Sequence, residues 1–488
     1  MLSFTVLTIL AAAPLVLTIV TLLRAKSGWV APLTGFVASA AVAMLIFGKT
    51  PTDIVVTLGD SSQMIVEVLS IIAGGVLLSR VLDASGAQGT LAAWLSHSAG
   101  GMLATTLMMT NGVIPFIESV TGFGVSVLIG LPLLIQLGFS PLRAAMLTVL
   151  GLTISAWGSM GPGTLLGSRL AEVSLYDLGM ATAQINWIAP LFSGLLIPFV
   201  ALDPSTRQAR LRQCLLGGTM GLTLSGFVLG ANFVFGTAVA GALGALLNTM
   251  LLLGIIALRR RHRARKSGIP LTKNPVEHAG QAFAPYAILI GGLITAQFVF
   301  KPLASPAIWL TIASISAVFI QRSWLAAGGL DTSSKVWRFL WAAVKLWVSV
   351  AIPTGIYMAL GSVFASGGLA EQLAAAFATL GAGYLVLSPF LGAIGGYITA
   401  STTGANAMFI TTQAAGAQVL GVEKLGLLGT HNAAASLWCL ASPVRVELAY
   451  QVAAERGPVS RKRITIISLG YVFVTTIVWA IYNVVFLR

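Results

Sequence analysis

The chain has 488 residues, 57% of them hydrophobic and 9% charged, with a mean hydropathy of +0.92 and a formal net charge of +14. Ordinary soluble domains carry about 25% charged residues, so the composition excludes a soluble globular protein and fits a polytopic membrane protein. The positive balance does not point to nucleic acid, because the basic residues form short clusters between apolar runs (Arg207 to Arg212, Leu258 to Lys266, Arg461 to Arg463), as cytoplasmic loops facing anionic lipid do.

In chain order, the first apolar run, Ser3–Leu23, has no basic residue before it and Arg24 and Lys26 after it. That predicts a first crossing with its N-terminus outside rather than a cleaved leader. Trp29–Phe47 and Met64–Leu82 follow; Glu67 and Arg80 lie near opposite ends of the latter and read as interfacial or paired. Next comes a small-residue tip, Glu118-Ser119-Val120-Thr121-Gly122-Phe123-Gly124, after an arm that contains Asn111. Further runs are Leu142–Met160, Trp187–Val200, Leu215–Phe235 and Thr237–Leu258, then a polar cytoplasmic loop over 259–280. Tyr286–Phe300, Ala304–Ile320 and Phe339–Phe364 precede a second tip, Ser401 to Phe409, and Leu425–Leu440 and Ile464–Phe486 close the chain. Runs of roughly 17–25 apolar residues cross a bilayer, and the shorter ones here are taken to cross as well. The reading is an all-α polytopic membrane protein, one domain over 1–488, with about 12 transmembrane helices plus two hairpin or re-entrant segments. Cys214 and Cys439 lack metal-ligand spacing and read as buried thiols; His97, His262 and His278 fall in predicted loops. No metal, no cofactor and no nucleic acid is expected. With no His-Glu-x-x-His or Gly-x-Ser-x-Gly pattern, an enzyme is not expected either.

The two tips form part of a repeat. Ser119 onward aligns with Ser401 onward, and Ser155-Ala156-Trp157-Gly158 through Pro162 aligns with Ser436-Leu437-Trp438-Cys439 through Pro443, at nearly the same spacing. The repeat cores are 100–165 and 380–447. With the basic clusters inside, the first tip is approached from inside and the second from outside. The repeats are therefore expected to be inverted, as in secondary transporters. Interrupted helices at Pro162 and Pro443 and glycines at 122, 124 and 404 leave backbone groups that lipid cannot satisfy, so they should line a protein cavity. Half-helix starts and hydroxyls there suit an anion: Ser119, Thr121, Gly122, Gly124, Ser401, Thr402, Thr403 and Asn406 are the binding candidates. Glu118 is the proton-coupling candidate, since a carboxylate at mid-membrane costs ~3 kcal/mol; a structural carboxyl paired with Arg80 is the alternative. Arg445 pairs either a substrate carboxylate or Glu447, and His431 is either a donor or a packing residue. Asn111 is read as a hydrogen-bond partner that fixes the first tip.

These motifs resemble those of the bacterial lactate permease family. Glu118 to Gly124 stands where the family has Glu-Gly-Ala-Ala-Gly-Phe-Gly, Gly138-Phe139-Ser140-Pro141-Leu142-Arg143-Ala144-Ala145 matches its Gly-Phe-x-Pro-Leu-x-Ala-Ala, and Trp157-Gly158-Ser159-Met160-Gly161 matches Phe-Gly-Ala-x-Gly. Ser401, Thr403, Asn406 and Phe409 match the second-repeat motif, with Thr402 where Asn is usual. Ser119 and Val120 replace the family's Gly-Ala pair, and Gly151-Leu152 its usual Asn-Thr. The resemblance implies a proton-coupled carrier of lactate or glycolate in the bacterial cytoplasmic membrane, working by alternating access and possible as a homodimer. A sodium-coupled carrier of another small organic anion is the alternative.

Overall fold

The computed structural model describes residues 3–24, 29–98, 101–122, 124–201, 206–267, 279–330 and 332–487, and all regular structure among them is helical. An apolar chain in lipid must satisfy its backbone internally, which a helix does residue by residue. The first half runs α1 (Phe4–Arg24), α2 (Val30–Leu45), α3 (Pro51–Ala84) and α4 (Ala87–Ser98). A hairpin follows: α5 (Met102–Met108), a π turn over Met109–Val113 and α6 (Ile114–Thr121) form one arm, α7 (Val125–Gln136) the other. An interrupted helix, α8 (Pro141–Leu150) and α9 (Pro162–Leu170), comes next, then α10 (Leu175–Asn186) and α11 (Ile188–Ala201). Two long helices, α12 (Arg207–Phe235) and α13 (Thr237–Ser267), lead to the second half.

That half repeats the order. It runs α14 (Ala279–Val299), α15 (Pro306–Ile320), the short α16 (Arg322–Ala327), α17 (Ser333–Ser366) and α18 (Leu369–Ala378). A second hairpin, α19 (Ala382–Thr399) and α20 (Thr402–Leu420), precedes a second interrupted helix, α21 (Lys424–Trp438) and α22 (Pro443–Ala454), and α23 (Arg461–Phe486) ends the fold. The counterparts α3 and α17 are each 34 residues long. They pack against one another antiparallel: Thr57 Oγ1 lies 3.0 Å from Ser366 Oγ, Ser61 donates to Ser362 Oγ at 2.8 Å, and Trp347 Nε1 donates to Leu69 O at 3.0 Å. Contacts between the halves come in exchanged pairs. α1 packs on α18 as α14 packs on α4, α2 on α17 as α15 on α3, and α9 on α20 as α22 on α7.

Among the described residues nine stretches are long and apolar enough to cross a membrane, with α10 and α11 counted as one and the hairpin arm α19 among them. The other eight, together with α2, α15 and the two interrupted helices, carry every crossing expected from sequence. Several bounds move. The run Leu142–Met160 is not one helix but α8 and a turn. The crossing placed at Trp187–Val200 begins earlier, at Leu175. The basic loop expected from 259 is helical as far as Ser267, because Arg and Lys are good helix formers, and 268–278, with His278, lie outside the described residues. His97 and His262 stand on α4 and α13 rather than in loops.

Candidate functional site

Four half-helix ends are built by backbone that leaves helical geometry. In the first hairpin Gly122 (φ 65°) ends α6 and Gly124 (φ 81°) starts α7. In the second, Ala400 takes φ 54° and Ser401 caps α20 by accepting the Gly404 N–H. The first interrupted helix turns through Ser159 (φ 53°), Met160 (φ 64°) and Gly161 (φ 78°). Two consecutive buried non-glycine residues with positive φ are uncommon and costly, and such strain gathers at binding sites. The second break is gentler: Cys439–Ala441 form a single tight turn, Ser442 accepts the Arg445 N–H, and Pro443 occupies the first helical position, where its missing N–H costs nothing.

These ends enclose a cavity of about 40 Å³ whose wall includes Glu118, Gly122, Ser159, Thr402, Thr403 and Arg445. The N-termini of α9 and α20 meet there so closely that a methyl group on Gly163 would lie 2.7 Å from Thr402 Cβ and 2.9 Å from Thr403 N. Their first N–H groups have no intrahelical acceptor and carry partial positive charge, so the cavity favours an anion. Arg445 reaches across it: its Nη1 is 3.0 Å from Glu118 Oε1, and Ser126 donates to the other carboxylate oxygen at 2.6 Å. Both ions are buried, Glu118 at 1% and Arg445 at 7% exposure. Gly124 is where the guanidinium passes; a methyl there would stand 3.2 Å from Nη1. Glu118 therefore pairs with Arg445 and not with Arg80, while Glu447 pairs with Arg461 at 2.9 Å.

Of the residues expected from sequence, the cavity gathers Glu118, Gly122, Ser401, Thr402, Thr403 and Arg445. It does not gather the rest. Ser119 and Thr121 belong to the last turn of α6, before the break, whereas Ser401 follows its break, so the matching letters of the two tips occupy different geometry. Ser119 faces Gly241 of α13, and Thr121 Oγ1 donates to Ile117 O within its own helix. Asn406 sits behind the wall, donating to Gly163 O and to Asn432 Oδ1, each at 2.8 Å. His431 is fully buried in mid-α21 against Gly392 of α19 and does not line the cavity. Asn111 lies far along its arm and offers its carbonyl to Asn248 of α13. Phe123 is outside the described residues.

Sequence reasoning missed Ser126, Ser159, Gly163, Cys439 and the network behind them. Asn432 donates to Thr164 at 3.1 Å and to Thr182 at 3.0 Å, tying α21 to α9 and α10. The spacing of Ser126 from Glu118, eight residues across the tip, was the one available signal. At the far ends of α9 and α20 a larger polar vestibule of about 730 Å³ opens, with Asp60, Glu67, Arg169, Glu172, Glu371 and Lys424 on its wall. Between the vestibule and the small cavity α9 and α20 pack tightly, and a methyl on Gly167 would meet Asn406 Nδ2 at 2.7 Å and Ile410 Cδ1 at 2.8 Å.

Known proteins resemble this sequence over most of its length. The L-lactate permease family model matches residues 7–324 and 294–486. A protein of Haemophilus influenzae, itself named only as a candidate L-lactate permease, is 25% identical and covers 95% of this chain and 96% of its own. The L-lactate permease of Escherichia coli K12 is 23% identical over 68% of this chain and 69% of its own, and the glycolate permease GlcA of the same organism is 24% identical over 71% of each. Among solved structures, the Alcanivorax borkumensis YdaH transporter aligns with a TM-score of 0.44 at 13% identity, covering 88% of this chain and 86% of its own. With nine candidate spans and further shorter apolar helices among the described residues, paired hairpins and this family match, the chain is a multi-pass transporter of the bacterial cytoplasmic membrane and belongs to the L-lactate permease family.

Proposed function

We propose that the protein carries a small 2-hydroxy monocarboxylate, lactate or glycolate, together with a proton by alternating access. The buried Glu118–Arg445 pair beside two helix N-termini carries this reading. One guanidinium faces one resident carboxylate. A substrate carboxylate brought to Arg445 adds a second negative charge in a medium where charge is expensive. A proton on Glu118 restores the balance: the protonated carboxyl releases Arg445 to the substrate, and the return step sheds proton and anion together. Ser401, Thr402 and Thr403 line the same cavity and would supply hydroxyl partners for the substrate's 2-hydroxyl. The names of the matching permeases point to the same substrate class.

Two further observations support alternating access. The exchanged contacts and the antiparallel α3 and α17 are what an inverted repeat produces, and the positive-inside rule applied to the basic clusters supports tips approached from opposite sides. The small cavity is closed toward one face by α9 against α20, below the vestibule, which the same clusters place outside. Parting those two helices admits substrate. Sodium coupling for the same anion is a second reading, favoured by the neutral oxygens of Ser401, Thr402 and Thr403 on the cavity wall, which suit that ion too.

The test is Glu118→Gln in proteoliposomes. It should abolish proton-driven accumulation of labelled lactate and keep lactate–lactate exchange, because an amide is already neutral. Full concentrative uptake by that variant would remove Glu118 from coupling. Competition by glycolate, pyruvate, dicarboxylates and sulfonates sets the substrate; dicarboxylates displacing lactate better than glycolate would overturn the monocarboxylate assignment.

A further inference from the structure

A separate cavity of about 370 Å³ lies between the first hairpin and helices α4, α13 and α14. Its walls are almost wholly apolar, with Trp94 of α4, Phe116 and Ile117 of α6, Leu133 of α7, Leu253 of α13 and Ile290 of α14 on them. Trp94 is held edge-on to Phe283 of α14, ring centres 5.3 Å apart. Water finds too few partners in such a space, and an empty cavity forfeits the dispersion contacts that an apolar occupant restores. Met250 of α13, 55% exposed, and the small exposed residues Ala287 and Gly291 of α14 also line it. The entrance between α13 and α14 therefore faces hydrocarbon.

Lipid tails are as apolar as these walls, so burial alone selects nothing here; selection falls to two polar features. Gln88, in the first turn of α4, lines the cavity, and its Nε2 is buried with no hydrogen-bond partner among the described residues. An unmet donor of this kind is costly until an acceptor arrives. Thr249, by contrast, spends its hydroxyl on Ala245 O. Along α13, Arg260 stands seven residues past Leu253, two turns on and so on the same face, about 10 Å further. Arg259 and Arg261 flank it, and all three are exposed.

We propose that this cavity holds one acyl chain of an anionic phospholipid, with an ester carbonyl at Gln88 Nε2 and the phosphate among Arg259, Arg260 and Arg261. A phospholipid offers these three parts together: an apolar chain, a neutral acceptor at its root and a negative charge beyond. Basic clusters at the end of a membrane helix attract anionic lipid, and the cavity gives that lipid a fixed seat. A fatty acid has no second group to reach the arginines. Phe116 and Ile117 directly precede Glu118, so the chain packs on the arm that carries the buried carboxylate.

The experiment titrates phosphatidylglycerol with brominated acyl chains, a contact quencher of tryptophan fluorescence, into detergent micelles of the purified full-length chain without lactate. The wild type should show a saturable quenching component that Trp94→Phe lacks. Unbrominated phosphatidylglycerol should displace it about tenfold better than phosphatidylcholine, in line with ~1 kcal/mol for each arginine near the headgroup. Replacing Arg259, Arg260 and Arg261 together by Gln should erase that preference. Gly291→Phe puts a ring into the cavity from a position where an added side chain meets open space. It should weaken binding about tenfold or more, a loss equivalent to about 1.4 kcal/mol. Gly230→Phe, equally open but on α12, should bind as the wild type does. Absence of a saturable component that depends on Trp94, or wild-type binding by Gly291→Phe, overturns the site. Equal displacement by phosphatidylcholine, or better displacement by oleate, overturns the anionic phospholipid as its occupant. Because lactate is absent, each result leaves the anion reading to its own test.

Discussion

Arg445 holds Glu118 across 327 residues of sequence, and both ions are buried. Removing one member of such a pair strands the other, at ~3–5 kcal/mol, while neutralising both is far milder. Arg445→Ala should therefore lower the melting temperature and abolish lactate uptake. The double variant Glu118→Gln, Arg445→Ala should recover stability and still fail to transport. Thermal unfolding in detergent beside uptake in proteoliposomes checks both; uptake by Arg445→Ala equal to wild type would show that the guanidinium does not hold substrate. The sequence flags each ion as odd in an apolar run, yet it offers no local sign that the two meet. Arg80 and Glu447 are nearer candidates by number and are not the partners.

Helix ends divide the candidate residues into those that touch the cavity and those that hold its wall. Ser401 lines it, and Ser401→Val should raise the Michaelis constant for lactate severalfold, with a further ~1 kcal/mol loss of stability from the missing helix cap. Asn406 and Asn432 act one layer back, fixing the α9 N-terminus against α20 through Gly163, Thr164 and Thr182. Asn406→Leu removes the donor to the Gly163 carbonyl and to Asn432 Oδ1, at a cost of ~1–3 kcal/mol for the buried amide oxygen left unpaired. It should lower stability and turnover together, whereas Ser401→Val changes mainly the Michaelis constant; kinetics and melting curves on both variants separate these outcomes. The tips were legible as breaks because glycine and proline mark them. Their geometry was not, because the first break falls after the Ser-x-Thr letters and the second before them. Helices α4 and α18 escaped notice too, being only 12 and 10 residues long, below crossing length.

At the scale of the molecule, hydropathy alone gives the crossings, since lipid forces each apolar run into a helix. What it leaves out is how the halves interlock, which depends on side chains such as Thr57 and Ser366 more than 300 positions apart. The topology predicts opposite exposure for equivalent turns. In a chain lacking Cys214 and Cys439, cysteines at Ser140 and Val419 should react with an impermeant thiol reagent from opposite sides of the membrane, the first from the cytoplasm. Labelling from the same side would break the inverted plan.

The exchanged contacts between halves also bear on direction. Under the proposed alternating access, an inward-facing arrangement would be assembled from the same kinds of contact as an outward-facing one, because each half offers the other what it receives. Neither would then have a large intrinsic advantage. Under the proposed mechanism, transport would then follow whichever gradient is steeper, outward as readily as inward.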